Sequence, residues 1–314
     1  MERALALKLS DGLFLFDTFM GGRAGYTSVF AVIADRAAIL DSGVSVTAGN
    51  VLAGLTEAGA EPADVAWIAL THAHYDHAGG AHELLRLLEE RGNRSVKVAC
   101  AEKPAVYIGR ADICEKLMRS GRATDGSLAG DMLPIGRDRI LVMKDGDALD
   151  LGGLTVRALD APGHANGHLI FHVPEISFLF VGDACGLLAR DPAGRPVIAP
   201  TAFAPEYRHD DYINTMRRIA AMGIARIGCG HFGTLQIEEI VPALEQAVAA
   251  AEKLRAMAVE IKAGRRGRDS VLSALESELG PALISLYPSR ERMLLSLKTM
   301  IAGSLHDLER DAAP

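Results

Sequence analysis

Residues 65–85, VAWIALTHAHYDHAGGAHELL, pass from a continuous apolar strand through a polar turn into an amphipathic helix. So abrupt a change of hydrophobic period, from an uninterrupted run to apolar residues at helical spacing, reads as a strand, a turn and then a helix. The turn itself is crowded with electron-pair donors. His72 and His74 are two residues apart at the end of the strand, so strand geometry points them the same way. Asp76 and His77 follow in the turn, and Gly79-Gly80 let the backbone fold tightly before the helix, which Gly92 closes. Neutral imidazole and carboxylate are ligands of zinc, and they also suit iron and manganese. Four such groups on one turn can face two adjacent ions. Without metal, packed imidazoles would repel one another whenever protonated.

The rest of the first half reads as short apolar runs separated by glycine turns. GLFLFDTF, TSVFAVIA and AAILDSG are closely spaced and β-rich, as in an antiparallel meander. TAGNVLAGLTEAGA has helical spacing, and SVKVAC is a further buried strand; residues 101–139 alternate helical patterns with glycine breaks and are left unplaced. A second cycle follows. ILVMKDGDALDLGGLTVRALDAPGH reads as strands joined by Asp-Gly and Gly-Gly turns, then come the strands HLIFHVP and SFLFVGDAC. DDYINTMRRIAAMG reads as a helix capped by Asp210 or Asp211, and ARIGCGHFG as the last strand. Two strand-rich halves with helices outside predict two packed sheets covered on both outer faces. Past Gln236 helical patterns take over, so the expected division is a catalytic domain over 1–237 and an all-helical extension over 238–314 that packs near the active site. The cluster Arg265, Arg266 and Arg268 reads as a solvated turn.

Composition narrows the function. The net charge of −7 gives no reason to expect nucleic acid or an anionic membrane as partner. No run of about twenty apolar residues predicts a membrane span, and the N-terminus is charged at once, unlike a secretory signal. Four scattered cysteines form no disulfide framework, so a reducing, cytoplasmic setting is expected.

A metal-holding turn needs further ligands from other strand ends. PGH places His164 after a strand, GDA places Asp183 at the end of an apolar strand where an unpaired carboxylate is costly, and GHFG places His231 between glycines. The series THxHxDHxGG, PGH, GDA, GHFG resembles the metallo-β-lactamase-fold hydrolase superfamily over roughly residues 10–235. The resemblance implies an α/β fold, an αββα sandwich with the site along one edge of the two sheets. It implies His72, His74 and His164 for a first metal, and Asp76, His77 and His231 for a second, with Asp183 bridging and Asp41 supporting the metal loop from behind. Two divalent ions per chain, zinc, iron or manganese, are therefore expected. Within that superfamily, the THxHYDH turn, the GDA strand end, the helical extension and a late RERML helix are similar to the quinolone-signal response type, a 2-aminobenzoylacetyl-coenzyme A thioesterase.

Other residues carry lesser expectations. His168 reads as a hydrogen-bonding neighbour of the site or a structural residue, and His82 and His172 as structural or surface residues. Phe203, Tyr207 and His209 are candidate pocket residues on the long proline-rich loop RPVIAPTAFAPEYRHDD. In the expected mechanism two adjacent metals lower the pKa of a bound water, and the resulting hydroxide attacks the thioester or ester carbonyl of a small acyl substrate. Asp183 holds both ions, and Asp76 orients the nucleophile or carries its proton. A lactonase is the next reading, although Gly186 stands where such enzymes often carry tyrosine; a phosphodiesterase follows. A signalling or binding protein that retains its metals, and a homodimer contact through the helical tail, complete the alternatives.

Overall fold

A computed structural model describes residues 4–231 and 233–311; Phe232 of the GHFG motif and the three residues at each end of the chain lie outside the described residues. The described residues form two compact units, one of residues 4–160, 167–182 and 230–231, the other of 161–166, 183–229 and 233–311.

The first unit is a sheet sandwich. One sheet has seven strands in chain order: β1 (Ala6–Ser10), β2 (Leu13–Asp17), β3 (Ser28–Ile33), β4 (Ala37–Leu40), β5 (Val65–Ala69), β6 (Lys97–Cys100) and β7 (Ile140–Val142). From β1 to β4 the pairing is antiparallel, as the closely spaced runs predict. From β4 to β7 it is parallel, which requires crossover connections between strands. These are α1 (Ala48–Glu57), the one-turn α2 (Tyr75–Ala78) with α3 (Ala81–Glu90), and α4 (Glu102–Ile108) with α5 (Ala111–Asp125). The stretch 101–139, unplaced by its pattern, is thus the crossover from β6 to β7.

In α3 the residues Ala81, Leu84, Leu85 and Leu88 are buried, while Arg86 pairs with Glu83 and Glu90 on the open face. This is the stripe a helix needs to cover a sheet. Leu84, Leu85 and Leu88 join Val51, Leu55, Ile68, Val98 and Ile108 in the core between helices and sheet.

The second layer of this unit is the antiparallel series β8 (Ala148–Asp150), β9 (Thr155–Asp160), β10 (Leu169–Val173) and β11 (Phe178–Phe180). A separate core joins the layers, with Leu13, Leu15, Phe30, Val32 and Leu40 facing Leu149, Val156, Phe171, Phe178 and Phe180. The Phe30 ring lies 5.4 Å from Phe178 and 5.0 Å from Phe180, tilted against both, a favourable aromatic geometry.

The second unit holds the hairpin β12 (Leu187–Arg190) and β13 (Pro196–Ala199), the helix α6 (His209–Ala220), the ribbon β14 (Arg226–Cys229) and β15 (Gly233–Gln236), and the helices α7 (Ile237–Lys262), α8 (Arg268–Leu283) and α9 (Arg290–Asp311). Three expectations change here. The RPVIAPTAFAPEYRHDD segment is not loop throughout, because its first apolar residues pair as β13 with β12. ARIGCGHFG is not the last strand, since GTLQ returns antiparallel as β15. Neither Asp210 nor Asp211 caps α6: the helix begins at His209 after Arg208, and both aspartates occupy its first turn. Carboxylates are favourable there because they face the exposed amides of the helix start. The extension packs inside its own unit: α7 lies on β13, α6 and α9, and α8 on β12 and β13. No helix among the described residues is long and apolar enough to cross a membrane.

Candidate metal centre

In the first unit the donors cluster where parallel strands end. Asp41 follows β4, and His72, His74, Asp76 and His77 follow β5 and lead into α2. This is the carboxyl end of the parallel strands, where open α/β sheets form their crevices. The loop can bend back so tightly because Gly80 has no side chain: its N–H donates to the Gly43 carbonyl at 2.8 Å, and a Cβ would stand 2.3 Å from the Ser42 carbonyl oxygen. The glycine is required here by close approach.

Asp41 organises the loop. Its carboxylate accepts the Thr71 N–H at 2.7 Å, the Thr71 hydroxyl at 3.0 Å, and His77 Nδ1–H at 2.7 Å. Because the Thr71 proton is directed to Asp41, its Oγ1 accepts from His72 Nδ1 at 2.9 Å. Both imidazoles are thereby held with Nε2 as the electron-pair donor, the form a metal needs. His72 Nε2 lies 2.9 Å from His74 Nδ1, so these two rings converge on one point. Burial pushes the Asp41 carboxyl up, while His77 first and then Thr71 pull it back by favouring the charged form. The residue adopts φ 60°, a left-handed conformation that aspartate tolerates better than most side chains.

Asp76 Oδ2 stands 3.9 Å from His77 Nε2 and 3.5 Å from His231 Nε2. These three residues present ligand atoms within 4.8 Å of one another. His231 is fixed by an isolated bridge to Thr27, beside the Ser28 N–H donated to the Gly230 carbonyl at 3.1 Å. His168, buried, stacks on His72 with ring centroids 4.8 Å apart. The donor set fits a divalent cation: nitrogen and carboxylate oxygen, converging, with tautomers fixed from behind.

In the second unit His164 and Asp183 are brought together, with Nε2 3.6 Å from Asp183 Oδ2, and both are almost wholly buried. His164 Nδ1–H donates to the Thr201 carbonyl at 2.9 Å, and Thr201 Oγ1 donates to the Asp183 carbonyl at 2.8 Å. The Phe203 ring meets His164 edge-on at 5.9 Å. Tyr207 and His209 are buried behind this loop, joined Oη to Nδ1 at 3.2 Å, and turn toward α9. There Arg310 donates to the Tyr207 carbonyl at 3.0 Å and Asp307 accepts the His209 N–H at 3.4 Å. Burial pushes the Tyr207 phenol up and the His209 imidazole down.

Sequence reasoning missed two supports. Thr71 had a local signal, since it directly precedes His72 in the motif. Thr201 had none, because its contribution to His164 is a backbone carbonyl 37 residues away in sequence.

The family description that matches this chain is the Metallo-beta-lactamase superfamily, over residues 9–231. The chain is 35% identical over 114 residues to a hydroxyacylglutathione hydrolase of Hyphomonas neptunium, covering 36% of this chain and 31% of that protein. It is 25% identical over 185 residues to the human acyl-coenzyme A thioesterase MBLAC2, covering 54% and 57%. The chain therefore spans well under two thirds of these curated relatives. In three dimensions it resembles a metallo-beta-lactamase family protein of Thermus thermophilus with a TM-score of 0.60 and 21% identity, over 98% of this chain and 96% of that one.

Proposed function

This chain belongs to the metallo-β-lactamase superfamily, and from that premise we propose that it is a metal-dependent hydrolase of small acyl thioesters, with acyl-coenzyme A substrates first. The observation that supports the reading is the convergence of Asp76, His77 and His231 behind tautomers set by Asp41 and Thr71. Motif order assigns His72, His74 and His164 to one divalent ion, Asp76, His77 and His231 to the other, and Asp183 to both. Zinc, iron and manganese all suit this nitrogen and oxygen set. When bound, such a pair lowers the pKa of water and polarises a carbonyl.

The chain's own residues supply orientation and proton handling. Asp41 accepts the Nδ1–H of His77 in a hydrogen bond and, through Thr71, fixes that of His72, so neither ring can turn. The Thr201 carbonyl does the same for His164. In the proposal Asp76 takes up the proton released as water attacks, because its carboxylate faces two imidazoles rather than being sealed by backbone donors. Its carriage to the leaving thiolate completes the cycle.

Thioester cleavage is preferred to lactone cleavage on one contact. Gly186 has φ 110°, and a Cβ there would stand 2.4 Å from the Ala199 carbonyl oxygen, so the tyrosine often found at this point in lactonases has no room. The thioesterase activity of the human relative supports the same choice. We place the reaction in the cytosol, on four buried cysteines that form no disulfide. Functionally, residues 1–237 carry the catalysis, and 238–314 form the helical extension of the quinolone-signal response type, whose α9 meets the loop bearing Phe203, Tyr207 and His209.

The test is turnover of metal-analysed protein on acyl-coenzyme A thioesters, acyl-homoserine lactones and an activated phosphodiester, with His164→Ala as control. Metal-dependent cleavage of thioesters alone is expected. Cleavage of another class would change the substrate assignment, and inertness of fully metallated protein toward all three would favour a binding role.

A further inference from the structure

The loop that carries Asp76 and His77 is tied to a buried carboxylate that the reaction does not use. Asp125, at the C-terminal end of α5, is 6% exposed and accepts a hydrogen bond from each of two phenols. Tyr75, between His74 and Asp76, donates to Oδ2; Tyr26 donates to Oδ1 at 2.9 Å. The two phenols come from different segments. Tyr75 opens α2, whereas Tyr26 directly precedes Thr27, the residue that bridges His231. One carboxylate therefore touches the turn that supplies Asp76 and His77 and the segment whose Thr27 holds His231.

The surroundings are shaped for this contact. The Tyr75 ring lies directly over Gly121 of α5, where a Cβ would come within 2.6 Å of the ring. Tyr26 packs with Met20 and Val44, and Tyr75 and Leu128 join that small apolar cluster. Apolar packing of equal volume would fill this space without the cost of burying a charge. What a carboxylate adds is direction, since it fixes two hydroxyls at hydrogen-bond length in its own plane.

We propose that Asp125 is a positioning residue for one metal site: through Tyr75 and Tyr26 it sets the spacing between the Asp76–His77 turn and His231. The proposal rests on the dinuclear reading above. It assigns to the β6–β7 crossover, which contributes no ligand, control over the affinity of a site on another pair of segments.

The experiment is chelator-competition titration of the full-length protein with zinc, alongside metal counting and thermal unfolding. Wild type is expected to bind two ions. Asp125→Ala is expected to weaken one of the two by about 10- to 100-fold, the range for residues that orient ligands, and to leave the other unchanged. Asp125→Asn should recover part of the loss, because its amide oxygen still accepts one phenol. Tyr26→Phe and Tyr75→Phe remove single hydroxyls without emptying the space, and each should weaken the same ion by a smaller factor. If both dissociation constants stay at wild-type values while only the melting temperature falls, Asp125 is merely structural and the inference is overturned. If Asp125→Ala does not fold, the two Phe variants decide the question in the same way. Wild type binding fewer than two ions would instead overturn the dinuclear reading itself.

Discussion

The first unit and the second hold histidines by opposite means. In the first, side chains hold side chains: Asp41 and Thr71 fix His77 and His72 within a network confined to the ends of β4 and β5. In the second, His164 is held by a main-chain carbonyl, that of Thr201, and the loop bearing it is secured by a helix about a hundred residues further on. Gly303 of α9 lies so near this loop that a Cβ would come within 2.1 Å of the Ala202 carbonyl oxygen. Asp307, 1% exposed, receives Arg255 and Arg310 beside it. A network of side chains can be broken by one polar substitution near the ligand. A carbonyl cannot be mutated away, so the second unit is vulnerable at the remote helix that secures its loop.

Removing a donor itself has the largest expected effect. His72→Ala and Asp183→Asn should each lower kcat by on the order of 10³-fold, several kcal/mol of lost transition-state stabilisation. Exhaustive chelation should match them, and restoring divalent metal should rescue wild type alone. Steady-state kinetics on whichever substrate class the wild type cleaves checks all three.

Removing the support in the first unit comes next. Asp41→Asn and Thr71→Val should weaken metal binding by about 10- to 100-fold, with activity recovering at high metal concentration. Loss of activity that excess metal does not restore would show that Asp41 does more than orient imidazoles.

The second unit should respond in stability first. Asp307→Ala leaves Arg255 and Arg310 without their shared buried carboxylate, which costs about 3 kcal/mol when such a pair is broken. Gly303→Ala drives a methyl into the Ala202 carbonyl, and overpacking of this kind costs about 1–3 kcal/mol. Urea unfolding measures both. In metal-free protein these variants are also expected to shift the His164 ring resonances, whereas Asp41→Asn leaves them in place.

The smallest effect is one of pH. Burial lowers the imidazole pKa of His209 in the second unit and of His82 and His172 in the first. The unfolded chain then takes up these protons first, so stability is complete above the unfolded value of about 6.5 and falls as pH drops below it toward the folded values. His209→Asn should flatten that slope for the second unit alone, read as the urea midpoint between pH 7 and pH 5.

Several elements were legible because their signals are local. The antiparallel meander β2–β4, the strand–turn–helix around His72, and α7 to α9 follow from hydrophobic period and glycine punctuation within short windows. Hairpin β12–β13 escaped because its second strand opens on Pro196 and is followed by Pro200, which read as loop. The start of α6 was misplaced because two aspartates look like caps, whereas the helix places both in its first turn. The crossover helices α4 and α5 were obscured by glycines whose reason is tertiary: Gly121 is there to admit the Tyr75 ring.

By itself the sequence determined the donor types, their order along the chain and the elements at whose ends they stand, since each depends on neighbours a few residues away. Only the tertiary structure decided which nitrogen of His72, His77 and His164 is offered, and that Asp125 underlies two separate segments. Those properties arise from hydrogen bonds between residues tens to a hundred positions apart, from Asp41 to His77 and from Tyr26 to Asp125. No local pattern encodes them, because a hydrogen bond depends on distance and angle in space.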